Sequence, residues 1–495
     1  MLNWLEQRTG FVSMTKDFLT EDVPGGASYW YVFGSATLFS MIVQITTGIF
    51  LTFWYAPSAA TAWESTRAIY QNPFEHFVLS LHYWGATAMI ALVCLHLLQV
   101  AIFGAYKRPR ELQWIVGVLL FLVTLALGLT GYLLPWDMDA FFASQVSLNI
   151  TGGAPVLGPL IQNIAQGGPA MGTETINRFF GLHVWLMPAI LVLLVGAHLT
   201  IFRHNGPAGP AADDPRRLKV GRFWPDQLFM DTVVSFFVFL LIVFLSFVAP
   251  PFLDQKANPL ISFQPYPAWY FLALFGLLGM VPPSMDKVAT IYIPTLFLLV
   301  LLVLPWIDRS LTRSLGSRRA VLSGITIVVV ALIWLSVQSQ MKIVSQGALN
   351  PHLSEAQVLA GTTSLASPAP VAASSPASAG SASGASSAGA SAGAAVFAQN
   401  CSTCHGAQGQ GTPGAFPPLA NNPVVTGDPS TVIAIVENGK TGPITVNGQS
   451  YNGTMPSWKG QLSPSNIASV ITYIRSKLGS NHASPVTTAQ LSAGQ

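Results

Sequence analysis

Two stretches decide the reading: HYWGATAMIALVCLH at residues 82–96 and HVWLMPAILVLLVGAH at 183–198. Each is an apolar run that starts and ends on histidine. Ionisable side chains inside a bilayer are costly and mark functional sites. At 1.5 Å rise per residue, His82 and His96 lie about 21 Å apart, and His183 and His198 only slightly further. Spacings of 14 and 15 residues also bring each pair back to nearly one helix face. If the two helices run in the same direction, His82 faces His183 at one level and His96 faces His198 at another. Two neutral imidazoles facing each other are suitable axial ligands for a haem iron. The plainer alternative is four histidines at helix ends bonded to carbonyls or water; two matched pairs argue against it.

The glycines keep the same period. Gly34 and Gly48, and Gly117 and Gly131, are each 14 apart. Glycine allows a flat porphyrin close to the backbone, although small residues also serve ordinary helix packing in membranes. Cys94, two residues before His96, faces elsewhere and is expected to be a packed small hydrophobe.

Outside these runs the composition is that of a membrane protein. Charged residues are 9% and hydrophobic residues 51%, with mean hydropathy +0.50. A soluble chain carries charge on about a quarter of its residues. A net charge of +3 points to no nucleic-acid partner. Seven runs are long enough to span a bilayer as helices, near 31–55, 79–104, 114–134, 183–203, 229–250, 287–306 and 319–338. The expected fold class is all-α: a seven-helix transmembrane bundle with a small soluble all-α domain behind it. Region 137–178 reads as a surface hairpin, and 251–286 as a long loop with a short amphipathic or re-entrant helix. The N-terminal residues lack a signal core, so the first span is expected to direct insertion.

Basic residues crowd three loops: Lys107, Arg108 and Arg110; Arg203, Arg216, Arg217, Lys219 and Arg222; and Arg309, Arg313, Arg318 and Arg319. With seven alternating spans all three share one side, which the positive-inside rule makes cytoplasmic. The N-terminus is then cytoplasmic and everything after the last span lies outside, as expected for a bacterial inner membrane.

The expected organisation is a four-helix part at 1–210, a three-helix part at 211–345, a linker at 346–387, a soluble domain at 388–478 and a disordered tail at 479–495. The stretch 361–394 is almost wholly Ala, Ser, Gly and Pro. It cannot bury enough surface to fold and reads as a tether. CSTCH at 401–405 then offers Cys401 and Cys404 for thioether attachment of a c-type haem and His405 as its axial ligand. Met455 in YNGTMPSW is the expected second ligand, one that raises the potential. A zinc site needs further ligands, and the other histidines of the soluble part, His352 and His482, lie outside the compact domain. The last helix, near 464–477, presents Ile467, Val470, Ile471 and Ile474 as a packing stripe against a helix near 388–400.

Over residues 15–340 the chain resembles the cytochrome b family of quinol:cytochrome c and quinol:plastocyanin oxidoreductases. The resemblance is carried by the histidine pairs, the paired glycines, YKRPRELQW (106–114), GYLLPW (131–136), NRFFGLHVWLMP (177–188), FWPDQ (223–227) and Pro267, Trp269 and Tyr270 of PYPAWYF (265–271). The 15-residue spacing and seven spans look like the plastid type with its two pieces fused. The soluble part resembles class I cytochromes c.

The resemblance implies two non-covalent b-type haems, one covalent c-type haem and a quinol or quinone substrate. Quinol is oxidised at an outer site near Pro267, Trp269 and Tyr270. One electron crosses the two b haems to an inner quinone site; the other reaches haem c through a Rieske iron–sulfur protein, with proton translocation. It further implies a homodimeric complex, small membrane subunits and a terminal cytochrome or oxidase acceptor. Asp231 is implied in protonating the inner quinone. His204 is a second candidate there, and Arg203 a counter-charge for a propionate.

Two departures stand out. Where the family has a glutamate between Pro267 and Trp269, this chain has Ala268, which cannot accept a proton. Asp137 and Asp139 are candidates to replace it, against the plainer reading of solvated interfacial carboxylates. The plastid type also carries a covalent haem on a helix-one cysteine; here Val32 stands in that region, and none is expected. Two other functions compete: a non-bifurcating quinol-to-cytochrome conduit or dihaem anchor of another dehydrogenase, and a transporter, which CSTCH argues against.

Overall fold

A computed structural model describes residues 2–346 except 169, 170, 259–262 and 264, and in the C-terminal part 393, 394, 396, 397 and most of 401–492. Cys404 and nearly all of the Ala/Ser/Gly/Pro stretch lie outside the described residues. The chain divides into two compact units, one holding the spans and one the C-terminal domain.

Two amphipathic helices, α1 (Leu2–Thr9) and α2 (Phe11–Leu19), precede strand β1 (Asp22–Pro24). Seven helical segments among the described residues are long and apolar enough to span a membrane: Tyr29–Leu51, Pro73–Phe103, Glu111–Tyr132, Thr173–Asn205, Phe223–Val248, Val288–Ile307 and Gly316–Ser345. They contain α3 (Val32–Leu51), α5 (Pro73–Phe103), α6 (Glu111–Tyr132), α9 (Thr173–Gly181), α10 (Met187–Asn205), α11 (Leu228–Val248), α13 (Ile293–Ile307) and α14 (Arg319–Gln346). Between spans lie α4 (Ala62–Gln71), α7 (Met138–Gly152), α8 (Gly158–Gln166) and α12 (Leu272–Leu278). The chain is a multi-pass membrane protein. Phe237, Phe247, Leu193 and Ile327 stand exposed on the outside of the bundle, as a lipid-facing surface requires.

The second span starts six residues before its expected beginning because Asn72 caps it. The Asn72 Oδ1 accepts from the Phe74 and Glu75 N–H groups, and Pro73 fills the first position. It stops at Gly104, whose φ of +60° ends the helix in the left-handed region. The fourth span starts ten residues early, α9 running through a π turn at Leu182–Leu186 into α10.

Helices α3, α5, α6 and α10 enclose a small apolar core at mid-height. Met41, Met89 and Leu191 are buried there, flanked by Leu120, Val123, Leu127 and Val195. The histidines sit above and below it. Strand β1 pairs antiparallel with β2 (Val220–Arg222), Asp22 opposite Arg222, which brings the N-terminal segment beside the start of the fifth span.

The C-terminal unit has helices α15 (Pro423–Thr426), α16 (Pro429–Asn438), α17 (Pro464–Ser476) and α18 (Thr488–Ser492). The expected stripe is buried, Ile467, Val470, Ile471 and Ile474 all facing the core with Phe397. Besides its helices the domain has a short hairpin, β3 (Ile444–Val446) and β4 (Gln449–Tyr451), across the Asn447–Gly448 turn, both residues at positive φ. One expectation is corrected. The segment after 479 is not a disordered tail, since Val486 and Leu491 are buried in the core and Thr472 Oγ1 accepts from the Val486 N–H.

Candidate functional site: two imidazole pairs and their surroundings

The His82 and His183 rings face one another with centroids 6.2 Å apart and planes at 81°. Two imidazoles bonded to one metal at about 2 Å, each ring centre about 1 Å behind its nitrogen, give a separation of about 6 Å. The spacing fits one iron between them. His96 and His198, at the other level of the same helices, lie within electrostatic reach of each other.

Hydroxyl, amide and backbone acceptors aim these rings. Thr47 Oγ1 donates to the Val43 carbonyl and so accepts from His82 Nδ1 at 2.9 Å. Thr130 Oγ1, which donates to Ala126, receives His183 Nδ1 at 3.2 Å, and the Leu127 carbonyl stands 3.1 Å from the same nitrogen. His96 Nδ1 meets Gln99 Oε1 at 3.2 Å. His198 Nδ1 is buried and has no hydrogen-bond partner among the described residues. In the other three rings a proton fixed on Nδ1 leaves Nε2 as the metal ligand.

Each of the four glycines stands opposite one histidine. A Cβ on Gly34 would meet His96 Cε1 at 3.2 Å, one on Gly48 His82 Cε1 at 3.2 Å, one on Gly117 His198 Cε1 at 3.5 Å, and one on Gly131 His183 Cε1 at 2.6 Å. The space expected to admit a porphyrin therefore holds the imidazole itself. In the fourth span the Met187 N–H reaches the Leu182 carbonyl, five residues back, across the turn that carries His183. That turn takes up one extra residue, so the 15-residue interval acts like the 14-residue one.

At the His82/His183 end, the loop and α6 meet. The Tyr270 hydroxyl lies where a Cβ on Gly128 would reach it at 2.8 Å, one turn from Gly131. Tyr132 donates to the Tyr266 carbonyl at 3.2 Å. Trp269 stacks edge-on against Tyr270, and Pro267 and Ala268 lead into the turn.

Asp137 is not a solvated carboxylate. It is buried, its Oδ1 accepting from the Ala140 N–H at 2.9 Å to cap α7 and its Oδ2 from the Asp254 N–H at 3.4 Å. Burial pushes its carboxyl up to about 7, with the Asp139 and Asp254 charges adding and the two backbone bonds opposing. The folded protein thus keeps a proton there that the unfolded chain releases near the usual 3.8. Stability must fall as pH rises from about 4 to 7 through this group. Asp137→Asn keeps the cap without the charge. It is expected to stabilise the protein at pH 8 by on the order of 2 kcal/mol and to flatten the pH dependence. Thermal unfolding at pH 6 and pH 8 checks this.

At the other end, Asp231 is buried and accepts from Gln227 Nε2 at 2.8 Å. His204 is exposed at the end of α10, and Arg203 pairs with Glu21. Cys94, expected to be packed, is exposed on its helix. Tyr106, Lys107, Asp308 and Arg318, which residue types alone mark only as orientation charges or ordinary loop residues, form a buried network beneath this end. Asp308 Oδ2 accepts from Tyr106 at 2.6 Å and Arg318 Nε at 2.7 Å, and its Oδ1 from Lys107 at 3.0 Å.

In the C-terminal unit, His405 is buried with Nδ1 2.8 Å from the Pro417 carbonyl. Burial pushes the imidazole down, the carbonyl bond opposing, so the ring is held neutral for a metal. Cys401 and Met455 both pack against the same apolar core.

Comparison with known proteins agrees with this arrangement. The family described as "Cytochrome b(N-terminal)/b6/petB" matches residues 87–265, "Cytochrome b(C-terminal)/b6/petD" matches 256–351, and "Cytochrome c" matches 390–477. The cytochrome bc complex cytochrome b subunit of Chlorobaculum thiosulfatiphilum is 35% identical over 338 residues, covering 67% of this chain and 78% of that protein. The menaquinol:cytochrome c reductase cytochrome b subunit of Geobacillus thermodenitrificans is 41% identical over 220 residues, 42% of this chain and 98% of that one. A solved structure described as "Hyperthermophilic respiratory Complex III" superimposes with a TM-score of 0.62 at 28% identity, over 73% of this chain and 95% of its own. With paired imidazoles in the membrane and a haem-attachment motif beyond it, the chain belongs to the cytochrome b family of bc-type complexes and carries a cytochrome c domain at its C-terminus.

Proposed function

We propose that this chain is the cytochrome b/c subunit of a quinol:cytochrome c-type oxidoreductase that oxidises membrane quinol at the Tyr270 end, the outer side. The observation that carries this is the imidazole pair at 6.2 Å, placed one helical turn from the loop residue Tyr270. Each histidine pair would hold one b-type haem, and together these would supply a one-electron relay across the bilayer; CSTCH would hold a c-type haem, which would supply a high-potential acceptor. His82 and His183, and His96 and His198, would hold the irons through Nε2. Tyr270 and Trp269 position the quinol ring, and Tyr132 fixes the loop that carries them. Asp231 holds a proton for the quinone at the inner, cytoplasmic side. The second electron needs a Rieske iron–sulfur partner, and the two branches together move protons outward. A homodimer, small membrane subunits and a terminal cytochrome or oxidase complete the assembly. The names of the relatives support a menaquinol substrate.

Ala268 favours a second reading, a conduit that does not divide the electrons, because the family's proton acceptor is missing there. One experiment separates the two. The purified complex should show two b haems and one c haem per chain. Quinol added with the inner site blocked should reduce b and c together. Reduction of c with b left oxidised overturns bifurcation, and absence of b haem overturns the whole reading.

A further inference from the structure

Gln227 closes the FWPDQ stretch just before α11, and its side-chain amide is fully committed. Oε1 accepts from the Ser28 N–H at 2.8 Å, and Nε2 donates to the Ser28 carbonyl at 3.3 Å and to Asp231 Oδ1 at 2.8 Å. Turning the amide over would set Oε1 against a carbonyl and a carboxylate and Nε2 against an N–H. The orientation is therefore fixed by the backbone of Ser28, and Oδ1 of Asp231 always meets a donor. A carboxyl oxygen that accepts an N–H bond is not the one that carries the proton, which leaves Oδ2. Both side chains are buried.

We propose that Gln227 is a positioning residue of the inner quinone site: it holds Asp231 so that only Oδ2 exchanges a proton. This rests on the reading of Asp231 as the proton donor. In each exchange Asp231 Oδ2–H passes its proton to the oxygen of the quinone being reduced, whose electrons arrive through the membrane relay. The carboxylate then takes a proton from the aqueous side.

The test uses the whole complex in membranes. It reads the rate at which b haem is reoxidised through the inner site, and separately the outer-site rate with the inner site blocked. Gln227→Leu should slow reoxidation about tenfold, as loss of one hydrogen bond to a charged group implies, and Asp231→Asn, which removes the acid itself, at least as much. Haem content and the outer-site rate should not change. Gln227→Glu keeps the acceptor for Ser28 but has no donor once ionised, so it should be slow at pH 8 and recover at pH 6. Lys16, Asp22, Arg222, Asp226 and the Glu21–Arg203 pair are charged groups on the adjoining elements; they are common to every variant and set no difference between them. A slow Asp231→Asn with normal Gln227→Leu and Gln227→Glu overturns this proposal alone. A normal Asp231→Asn overturns the reading of Asp231 itself. Loss of haem or of the outer-site rate in Gln227→Leu, with no recovery of Gln227→Glu at pH 6, shows a merely structural role and also overturns the proposal.

Discussion

His183→Leu is expected to remove one b haem from the complex, changing the b-to-c ratio from two to one, and to abolish quinol-driven reduction across the membrane. One imidazole of the pair at 6.2 Å would remain, with no partner to close the axis. Loss of a ligand should exceed the roughly 10–100-fold cost of disturbing the groups behind ligands. The glycines give a graded control. Alanine at Gly131 would set a Cβ 2.6 Å from His183 Cε1, so the ring must move; alanine at Gly117 would meet His198 at 3.5 Å, an ordinary contact. Gly131→Ala should lose haem on purification, and Gly117→Ala should keep it. Equal retention in both would show that the notches do not set ring position. Haem c should attach in every case.

Arg318→Met is expected to cost about 3–5 kcal/mol of stability, the usual penalty for stripping one partner from a buried pair. Arg318 is buried, with Nε on Asp308 at 2.7 Å and Nη2 on the Ala101 carbonyl at 2.7 Å and on Tyr106 at 2.8 Å. It thereby caps the carbonyl end of α5 with a cation, where the helix dipole favours one. Gly104 is required here twice over, for its left-handed turn and because a Cβ would stand 3.0 Å from the guanidinium. Burial alone would raise the Asp308 carboxyl, but bonds from Ser310, Tyr106, Arg318 and Lys107 outweigh it and hold the group well below its usual 3.8. The stability it contributes is present above pH 4 and is lost only in stronger acid. In Arg318→Met that loss should move to higher pH. Asp308→Leu added to Arg318→Met should recover part of the stability, which thermal unfolding of the two variants would measure.

The spans and the histidine pairs were legible because apolar runs and buried imidazoles leave a mark in residue type alone. What surrounds them was not. Nothing in residue type says that Gly131 makes room for a ring and not a porphyrin, since both need a missing Cβ. Asp137 read as solvated because it sits just past the end of a span, at the interface; only the fold brings the Asp254 backbone over it. The segment after 479 read as a tail because it is short of apolar residues, yet Val486 and Leu491 suffice once Arg475 donates to the Ser484 carbonyl. Cys94 read as packed from its apolar neighbours, which in a membrane mark the lipid side equally well.

In an unbroken α-helix, one added residue between two ligands would swing the second imidazole by about 100°, off the seam and towards the hydrocarbon. The wide turn at Leu182–Leu186 absorbs that rotation. Residue counts between ligands are therefore a poor ruler for this architecture. A lineage could gain or drop a single residue in the fourth span and still seat both cofactors at the same depth.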